Sequence, residues 1–170
     1  FKVIDGGEDK DITDNVDKNS KSAEALKLIK SEDEKFTVNE FLSGARSAYE
    51  WILMSFEKNE IDEIRELLSE EVAEAFDAVV DQRVSQGLTI EAEFIGIREM
   101  KLVEATYSSN TKTAEISVSF VGEMTSVVKN SSGEIVEGDS KQIKRQKDTW
   151  TFSKDIKSSN PNWLLVATGE

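Results

Sequence analysis

The clearest pattern in the chain is a helical one that starts at residue 37. Thr37 and Glu40 have the spacing of a capping box, and Phe36 and Phe41 occupy the two positions of a hydrophobic staple. Apolar residues then recur at intervals of three and four, namely Phe41, Ala45, Ala48, Ile52 and Phe56. This spacing places them on one face of a helix. We therefore predict a helix from residue 37 to about Lys58.

Three further helical segments flank this one. Ser22 is the predicted cap of a short helix over residues 23–32, and Asn59 begins another short helix. Ser69 caps a longer helix that ends near Gly87, because glycine is the usual residue just after a helix. The side chains predicted to face inward from this longer helix are Val72, Phe76, Val79, Val80 and Val84.

From Leu88 onward the apolar period changes to two, which is typical of strands. Alternation predicts two strands over residues 88–107 and 114–128, with a bend or bulge at Gly96. A hairpin turn at residues 130–133 leads to a long strand bent near Gly138, and a turn at residues 160–162 leads to a last strand. Helices grouped before strands favour an α+β fold, with N-terminal helices packed on an antiparallel sheet.

Residues 1–20 are polar apart from a few scattered apolar side chains. We predict a flexible arm or linker there, and one folded domain over residues 21–170. No apolar run approaches the ~20 residues that span a membrane. Because the chain starts at Phe1 rather than Met, we expect a processed product, so that an upstream signal or anchor would not be visible in this sequence.

Missing residue types exclude several functions. The 170 residues include no Cys and no His, which removes thiolate chemistry, the commonest metal ligand and the commonest general base. We therefore predict no catalytic residues, no metal site and no cofactor. Acidic side chains are frequent between Glu60 and Asp81. A divalent-metal site or an acidic docking face is one interpretation of them, but a solvated helix surface is favoured.

The net charge of −13 is unevenly distributed. Residues 1–40 carry −4, residues 41–110 carry −9 and residues 111–170 carry no net charge, so nucleic acid is not an expected partner. In the sheet half, Lys144, Arg145 and Lys147 are candidates for contact with lipid head groups or a protein partner. The alternative is an edge strand protected by its charge, and strand alternation would split these cations between two faces.

Several ordered motifs are similar to those of one known family. In the helical half they are Phe36 with Phe41-Leu42 and Gly44-Ala45, Ala48-Tyr49, Leu67-Leu68, Phe76, and Arg83 to Gly87. In the sheet half they are residues 133–139 (GEIVEGD), Asp148-x-Trp150-x-Phe152 and Asn160-Pro-Asn-Trp163-x-Leu165. From about residue 22 to its end the chain resembles the Tim-forty-four-like domain family. This family comprises the C-terminal domain of the tether subunit of the mitochondrial inner-membrane import motor and its alphaproteobacterial relatives.

The resemblance implies a cone-shaped α+β fold with helices on a curved antiparallel sheet, similar to nuclear-transport-factor-like and cystatin-like domains. It also implies an apolar cavity and peripheral association with an inner membrane that contains anionic cardiolipin. We therefore expect a non-enzymatic scaffold or tether domain linked to protein translocation or inner-membrane protein handling. Its partners would be an anionic lipid or membrane surface and a protein. It would be peripheral or anchored by an upstream segment, and bacterial rather than mitochondrial.

The implied cavity would hold a lipid acyl chain or an apolar peptide. Trp150, Phe152 and Trp163 form an aromatic-rich end of the sheet, where core packing is favoured over a pocket. If a cavity is present, the candidate lining residues are Leu88, Phe94, Ile116, Phe120, Trp150 and Phe152. Two other functions stay open, namely a protein-interaction module without lipid binding and a small-molecule-binding enzyme of the same fold.

Overall fold

The computed structural model describes residues 8–169 of the chain. The α-helices are Lys10–Thr13 (α1), Lys21–Glu32 (α2), Val38–Glu57 (α3) and Glu70–Ser85 (α4). Two 3-10 turns, Ile61–Glu63 and Arg65–Leu67, connect α3 to α4. The strands are Thr89–Ser108 (β1), Thr113–Lys129 (β2), Ile135–Asp155 (β3) and Leu164–Gly169 (β4). The predicted α+β fold, with helices before an antiparallel sheet, is confirmed.

Helix α3 begins as the sequence predicts. The Thr37 hydroxyl oxygen accepts the N–H of Glu40 at 3.0 Å, and the rings of Phe36 and Phe41 lie 6.5 Å apart. The hydroxyl satisfies one of the N–H groups that a helix cannot pair internally, and the rings fix the angle at which the chain enters the helix. The helix ends at Glu57, next to the predicted end at Lys58.

The segment before α2 packs on the domain, which differs from the flexible arm predicted for it. Ile12 is buried in the core. The Asp11 carboxylate accepts the N–H groups of Val38 at 2.7 Å and Asn39 at 2.9 Å, and Lys30 Nζ lies 2.8 Å from it. These partners are distant in sequence, so no local pattern reveals them. Residues 1–7 of the predicted arm lie outside the described residues.

Two boundaries in the helical half differ from the prediction. Helix α2 starts earlier, because Ser20 caps it by accepting the N–H of Ala23 at 3.1 Å. Ser22 instead accepts the backbone N–H of Ala105 on β1, also at 3.1 Å, and so pairs an N–H group of a strand edge. The short helix predicted from Asn59 is replaced by the two 3-10 turns.

Helix α4 begins at the predicted cap, Ser69, and ends before Gly87, whose φ of 70° suits glycine. The prediction that Val79 and Val84 face inward is wrong, since they are 42% and 63% exposed. Helix α4 packs on the first 3-10 turn and on β4, and its buried residues are Val72 and Ala73.

The four strands form one sheet in the order β1-β2-β3-β4, with every neighbouring pair antiparallel. Three irregularities interrupt the β1–β2 register, one of them at the predicted Gly96. Strand β3 bends at Gly138, where φ is 88°, and its residues 140–143 lie opposite the single residue Thr125 of β2. Extra residues on one strand bend it and increase its twist, which curves the sheet.

The core lies between α3 and the concave face of the sheet. On that face β2 buries Ala114, Ile116, Val118, Phe120 and Met124 almost completely. The ring of Tyr49 from α3 stacks on that of Phe120, with centroids 4.2 Å apart and planes 9° from parallel. A Cβ at Gly122 would lie 3.0 Å from the Tyr49 ring, so glycine permits this close approach. An aromatic pair of this kind contributes about 0.5–1.5 kcal/mol beyond its area burial.

Candidate functional site

An open apolar groove lies where the start of α3 meets the turn between β3 and β4. Its volume is about 520 Å³. Its walls come from the loop before α3, the first half of α3, the second 3-10 turn, the end of β3 and the turn before β4. The apolar lining residues are Phe36, Phe41, Gly44, Ala45, Ala48, Leu67, Phe152, Pro161 and Trp163.

Phe41 is the centre of the aromatic wall. Its ring lies 4.8 Å from that of Trp163 and 5.9 Å from that of Phe152, both in edge-on geometry. The helix start fixes Phe41, and the turn before β4 fixes Trp163, because Asn160 Oδ1 accepts the N–H of Asn162 at 3.0 Å. Three separate segments of sequence therefore build one aromatic surface, which suits contact with an apolar group.

The mouth of the groove is polar and nearly neutral. Asp33 and Glu40 supply two acids, and Lys35 and Lys154 supply two bases. Between them, Gly44 leaves open space, since a Cβ there would meet nothing within 4 Å. The groove can therefore hold an apolar segment whose polar ends remain in water.

Among the six predicted pocket residues, only Phe152 lines this groove. Ile116, Phe120 and Trp150 lie in the core at 3% exposure or less, and Tyr49 covers the last two. The structure therefore assigns these three side chains to packing between α3 and the sheet. Periodicity correctly placed them on the concave face, but it carries no information about which part of that face a helix covers.

Leu88 and Phe94 do not line the groove. Both are half-buried, and Phe94 lines a separate, shallow depression of about 640 Å³ beside Trp51. Sequence reasoning did not assign Phe36, Phe41 or Leu67 to a pocket. It placed Trp163 in the aromatic-rich end of the sheet, where packing was favoured over a pocket, and did not name it as a lining residue. The staple pair and the Asn-Pro-Asn-Trp motif were the available signals, but only the tertiary structure brings them together.

The three predicted basic contact residues are exposed on β3 but do not form one patch. Arg145 lies opposite Glu123 of β2, with Nε 3.0 Å from the carboxylate. Lys144 lies opposite Met124, which is buried beneath the helices. Because residues opposite one another share a face, Lys144 is on the helix side, and Arg145 and Lys147 are on the outer side.

A polar pair links α3 to β3 inside the fold. The Tyr49 hydroxyl donates to Asp148 at 2.6 Å, and Gln146 donates to the same carboxylate oxygen at 3.0 Å. Burial, and then the facing Asp148 carboxylate, raise the pKa of Tyr49 far above its ordinary value. The Tyr49 hydroxyl therefore keeps its proton and acts as a hydrogen-bond donor. The Tyr49–Asp148 pair does not line the groove.

A second polar cluster joins the ends of α3 and α4. Arg83 donates to the backbone carbonyl of Phe56 at 2.8 Å and to Asn59 Oδ1 at 3.0 Å, and it stacks on the Phe56 ring at 4.5 Å. Its guanidinium lies 3.6 Å from the carboxylate of Glu57, which is 8% exposed. Burial raises the pKa of Glu57 despite the nearby cations Arg83 and Lys144. These contacts hold two helix ends together.

Within residues 8–169, no group of three or more His, Cys, Asp or Glu side chains is placed to hold a metal ion. In the same range, no helix has the length and apolar character needed to cross a bilayer. The groove is lined mainly by apolar side chains, on a fold of helices packed against a curved sheet.

Comparison with known proteins supplies the family. The sequence profile of the Tim44-like domain matches residues 22–170, and the chain belongs to this family. No curated protein sequence matches the chain. The crystal structure of the intermembrane space region of the chloroplast protein ARC6 is similar, with a TM-score of 0.49 and 9% identity. That similarity covers 75% of this chain and 94% of that one. Tim44-like domains are associated with membranes and with protein partners in translocation scaffolds.

Proposed function

We propose that this chain is a non-enzymatic scaffold domain, peripheral to or anchored at an inner membrane, that holds an apolar protein segment in the groove beside Phe41. The observation that carries the proposal is the open groove of about 520 Å³, which is lined by the largely buried rings of Phe41 and Phe152 and by the half-buried ring of Trp163. Membership of the Tim44-like family supplies the setting, which is a scaffold in membrane protein translocation.

The lining favours an apolar peptide as the occupant. Full burial of one Leu- or Phe-sized side chain contributes about 1.5–3 kcal/mol. Two or three such side chains contribute about 3–9 kcal/mol, and after an association cost of at least about 4 kcal/mol they support weak binding, at best in the range just below about 1 mM. The mouth carries two acids and two bases. Such a mouth suits the polar backbone and mixed side chains that flank an apolar peptide stretch.

An anionic lipid is the second candidate occupant. The observation in its favour is the pair Lys35 and Lys154 at the mouth, since each cation near an anionic surface contributes about 1 kcal/mol. In this case an acyl chain, for example of cardiolipin, would occupy the apolar part. The acids Asp33 and Glu40 beside the lysines weaken this attraction, so we place the lipid second.

Gly44 allows the groove to be closed without removing any core side chain. We expect Gly44→Leu to fill the space above Phe41 and to weaken binding of short apolar peptides about tenfold or more. Glycine is unfavourable inside a helix, so we expect the free energy of unfolding of this variant to exceed that of the wild type by about 0.5–1 kcal/mol. Trp163 fluorescence measures the binding, and urea denaturation measures the stability.

Ser43→Leu is the matched control, because it adds the same side chain one position away, where the residue is exposed and does not line the groove. Vesicle flotation with and without cardiolipin separates the two occupants. Loss of vesicle binding in Gly44→Leu without loss of peptide binding would favour the lipid. Unchanged binding of both probes would reject the groove as the site.

A further inference from the structure

The first nine residues divide into an apolar part and a polar part. Residues 1–4, which we call the cis segment, are Phe-Lys-Val-Ile and carry three large apolar side chains. Residues 5–9 are Asp-Gly-Gly-Glu-Asp, and the described part of the chain begins within them, at Glu8. Two adjacent glycines restrict the direction of a chain very little. The region open to the cis segment is therefore limited by where Asp9 lies and by the reach of a few residues.

Asp9 lies near the groove beside Phe41. Its carboxylate is 2.8 Å from Lys30 Nζ, and three residues after Lys30 the chain reaches the groove-lining Asp33. Two residues after Asp9, the Asp11 carboxylate accepts N–H groups at the start of α3, and the first turn of α3 also lines the groove. The chain therefore joins the described fold at the same end of α3 as the groove.

The reach of the intervening residues favours the groove over the other apolar depression. Ile4 is five residues before Asp9, and five residues extend over at most about 17 Å. This exceeds the ~10–12 Å diameter of a helix, so the cis segment can pass the start of α3 and enter the groove. The depression beside Trp51 is on the second half of α3, about 20 Å along the helix from Val38. It lies beyond that span.

We propose that the cis segment occupies the groove of its own chain, and that a protein partner must displace it. This inference rests on the function proposed above, because it assigns an internal peptide to the same groove. Phe1, Val3 and Ile4 supply the apolar side chains that the groove buries. The groove is then regulated by competition, since only a partner that binds better than the cis segment gains access to it.

Tethering makes weak binding by the cis segment effective. A linker of a few residues gives an effective concentration in about the millimolar range. Two or three apolar side chains bind this groove with a Kd that is at best just below about 1 mM. The two quantities are comparable, so the cis segment occupies the groove in about half of the molecules or more. It therefore weakens the binding of a free peptide about twofold to tenfold.

The first test removes the apolar side chains of the cis segment in the full chain, as Phe1→Ser, Val3→Ser and Ile4→Ser together. The probe is a synthetic peptide with the sequence of residues 1–7, Phe-Lys-Val-Ile-Asp-Gly-Gly. Trp163, which lines the groove, reports binding by its fluorescence. We expect the triple variant to bind this peptide about two- to tenfold more tightly than the wild type, because its internal competitor is removed.

The matched control is Lys2→Ser combined with Asp5→Ser. It removes one base and one acid, so it keeps the net charge and all three apolar side chains. We expect it to bind the peptide as the wild type does. Tighter binding in this control would show that any change near the groove strengthens binding, and it would overturn the proposal.

A second measurement locates the cis segment without an added peptide. The chain has no Cys, so the rate at which two introduced thiols form a disulfide reports how often they meet. Lys2→Cys with Gly44→Cys should form an intramolecular disulfide at least about fivefold faster than Lys2→Cys with Ser43→Cys. Residues 43 and 44 are both exposed, but only residue 44 lines the groove.

The outcomes separate this inference from the proposed function. Tighter peptide binding in the triple serine variant, with faster disulfide formation at residue 44, would support both. Equal peptide binding by the wild type and the triple variant, without preference between residues 43 and 44, would overturn the cis segment and leave the groove as a peptide site. Preference for residue 44 without binding of the peptide to any variant would retain the cis segment and reject the proposed function. Disulfide-linked dimers as the main product would overturn the proposal in favour of a second copy.

Discussion

At the scale of single residues, the interior of this acidic chain holds two charged groups that the sequence pattern does not flag. Glu57 and Arg83 lie at the ends of two helices and are both largely buried. Moving such a pair out of water is costly, and removal of one partner leaves an uncompensated buried charge. Here burial has the larger effect on Glu57, so its pKa is raised rather than lowered.

The raised pKa of Glu57 makes stability depend on pH. The folded state binds the proton of Glu57 more tightly than the unfolded chain does, so the free energy of unfolding decreases as pH rises from the ordinary Glu value of 4.5 through the folded pKa. Glu57→Gln removes this contribution. We expect the wild type to lose stability relative to Glu57→Gln over that range, by about 1.4 kcal/mol for each unit of pKa shift.

Urea denaturation of both proteins at a series of pH values checks this. Glu60→Gln, at an exposed position three residues away, should follow the wild type throughout. Parallel pH profiles for the wild type and Glu57→Gln would show that burial does not perturb this carboxyl group.

At the scale of elements, the form of the sheet is set by local irregularities in long strands. Strands β1 and β3 have 20 and 21 residues, and both depart from regular pairing with β2. The bend at Gly138 brings its backbone close to Ser126 of β2. A left-handed φ and a close backbone approach both require glycine at this position.

Gly138→Ala and Gly133→Ala separate these two requirements. Both glycines have positive φ, 88° and 84°, but a Cβ at Gly138 would clash with the carbonyl oxygen of Ser126, whereas one at Gly133 would meet nothing within 4 Å. We expect Gly133→Ala to cost about 1–2 kcal/mol. Gly138→Ala should cost about 1–3 kcal/mol more, because the strands must separate. Urea denaturation measures the loss of stability in each variant. Equal losses would show that β2 and β3 can move apart at the bend without a further loss of stability.

At the scale of the whole molecule, the domain is larger than its family match. The Tim44-like match starts at residue 22, yet α1 precedes it and packs on α2 and α3. The Asp11 carboxylate provides the link, since it caps α3 and pairs with Lys30. Partial burial by itself would raise the pKa of Asp11, but the Lys30 and backbone hydrogen bonds outweigh it and lower the pKa.

Asp11→Ala tests whether this segment stabilises the fold. We expect a loss of about 1–2 kcal/mol, which is typical for removal of a helix cap. Because the folded pKa of Asp11 is lowered, its contribution is complete above the ordinary Asp value of 3.8 and is lost as pH falls through the folded pKa. Asp14→Ala, at an exposed position with no side-chain hydrogen bond among the described residues, should cost much less. Equal costs would show that the segment is a dispensable arm.

The sequence by itself determined the order and type of the longer elements, namely α2, α3, α4 and the four strands, but not α1 or the 3-10 turns. Helix α3, the cap of α4, the change of period at Leu88 and the bulge at Gly96 all follow from interactions between near neighbours. Local hydrogen bonds, the spacing of apolar residues and the conformational freedom of glycine decide these features. The sequence pattern alone therefore predicts them.

Only the tertiary structure decided which apolar residues form a site and which form the core. Phe120, Trp150 and Phe152 are all buried on the same face of the sheet, and of the three only Phe152 also lines the groove. Burial depends on where distant segments cross and pack, and the periodicity along one strand does not specify that.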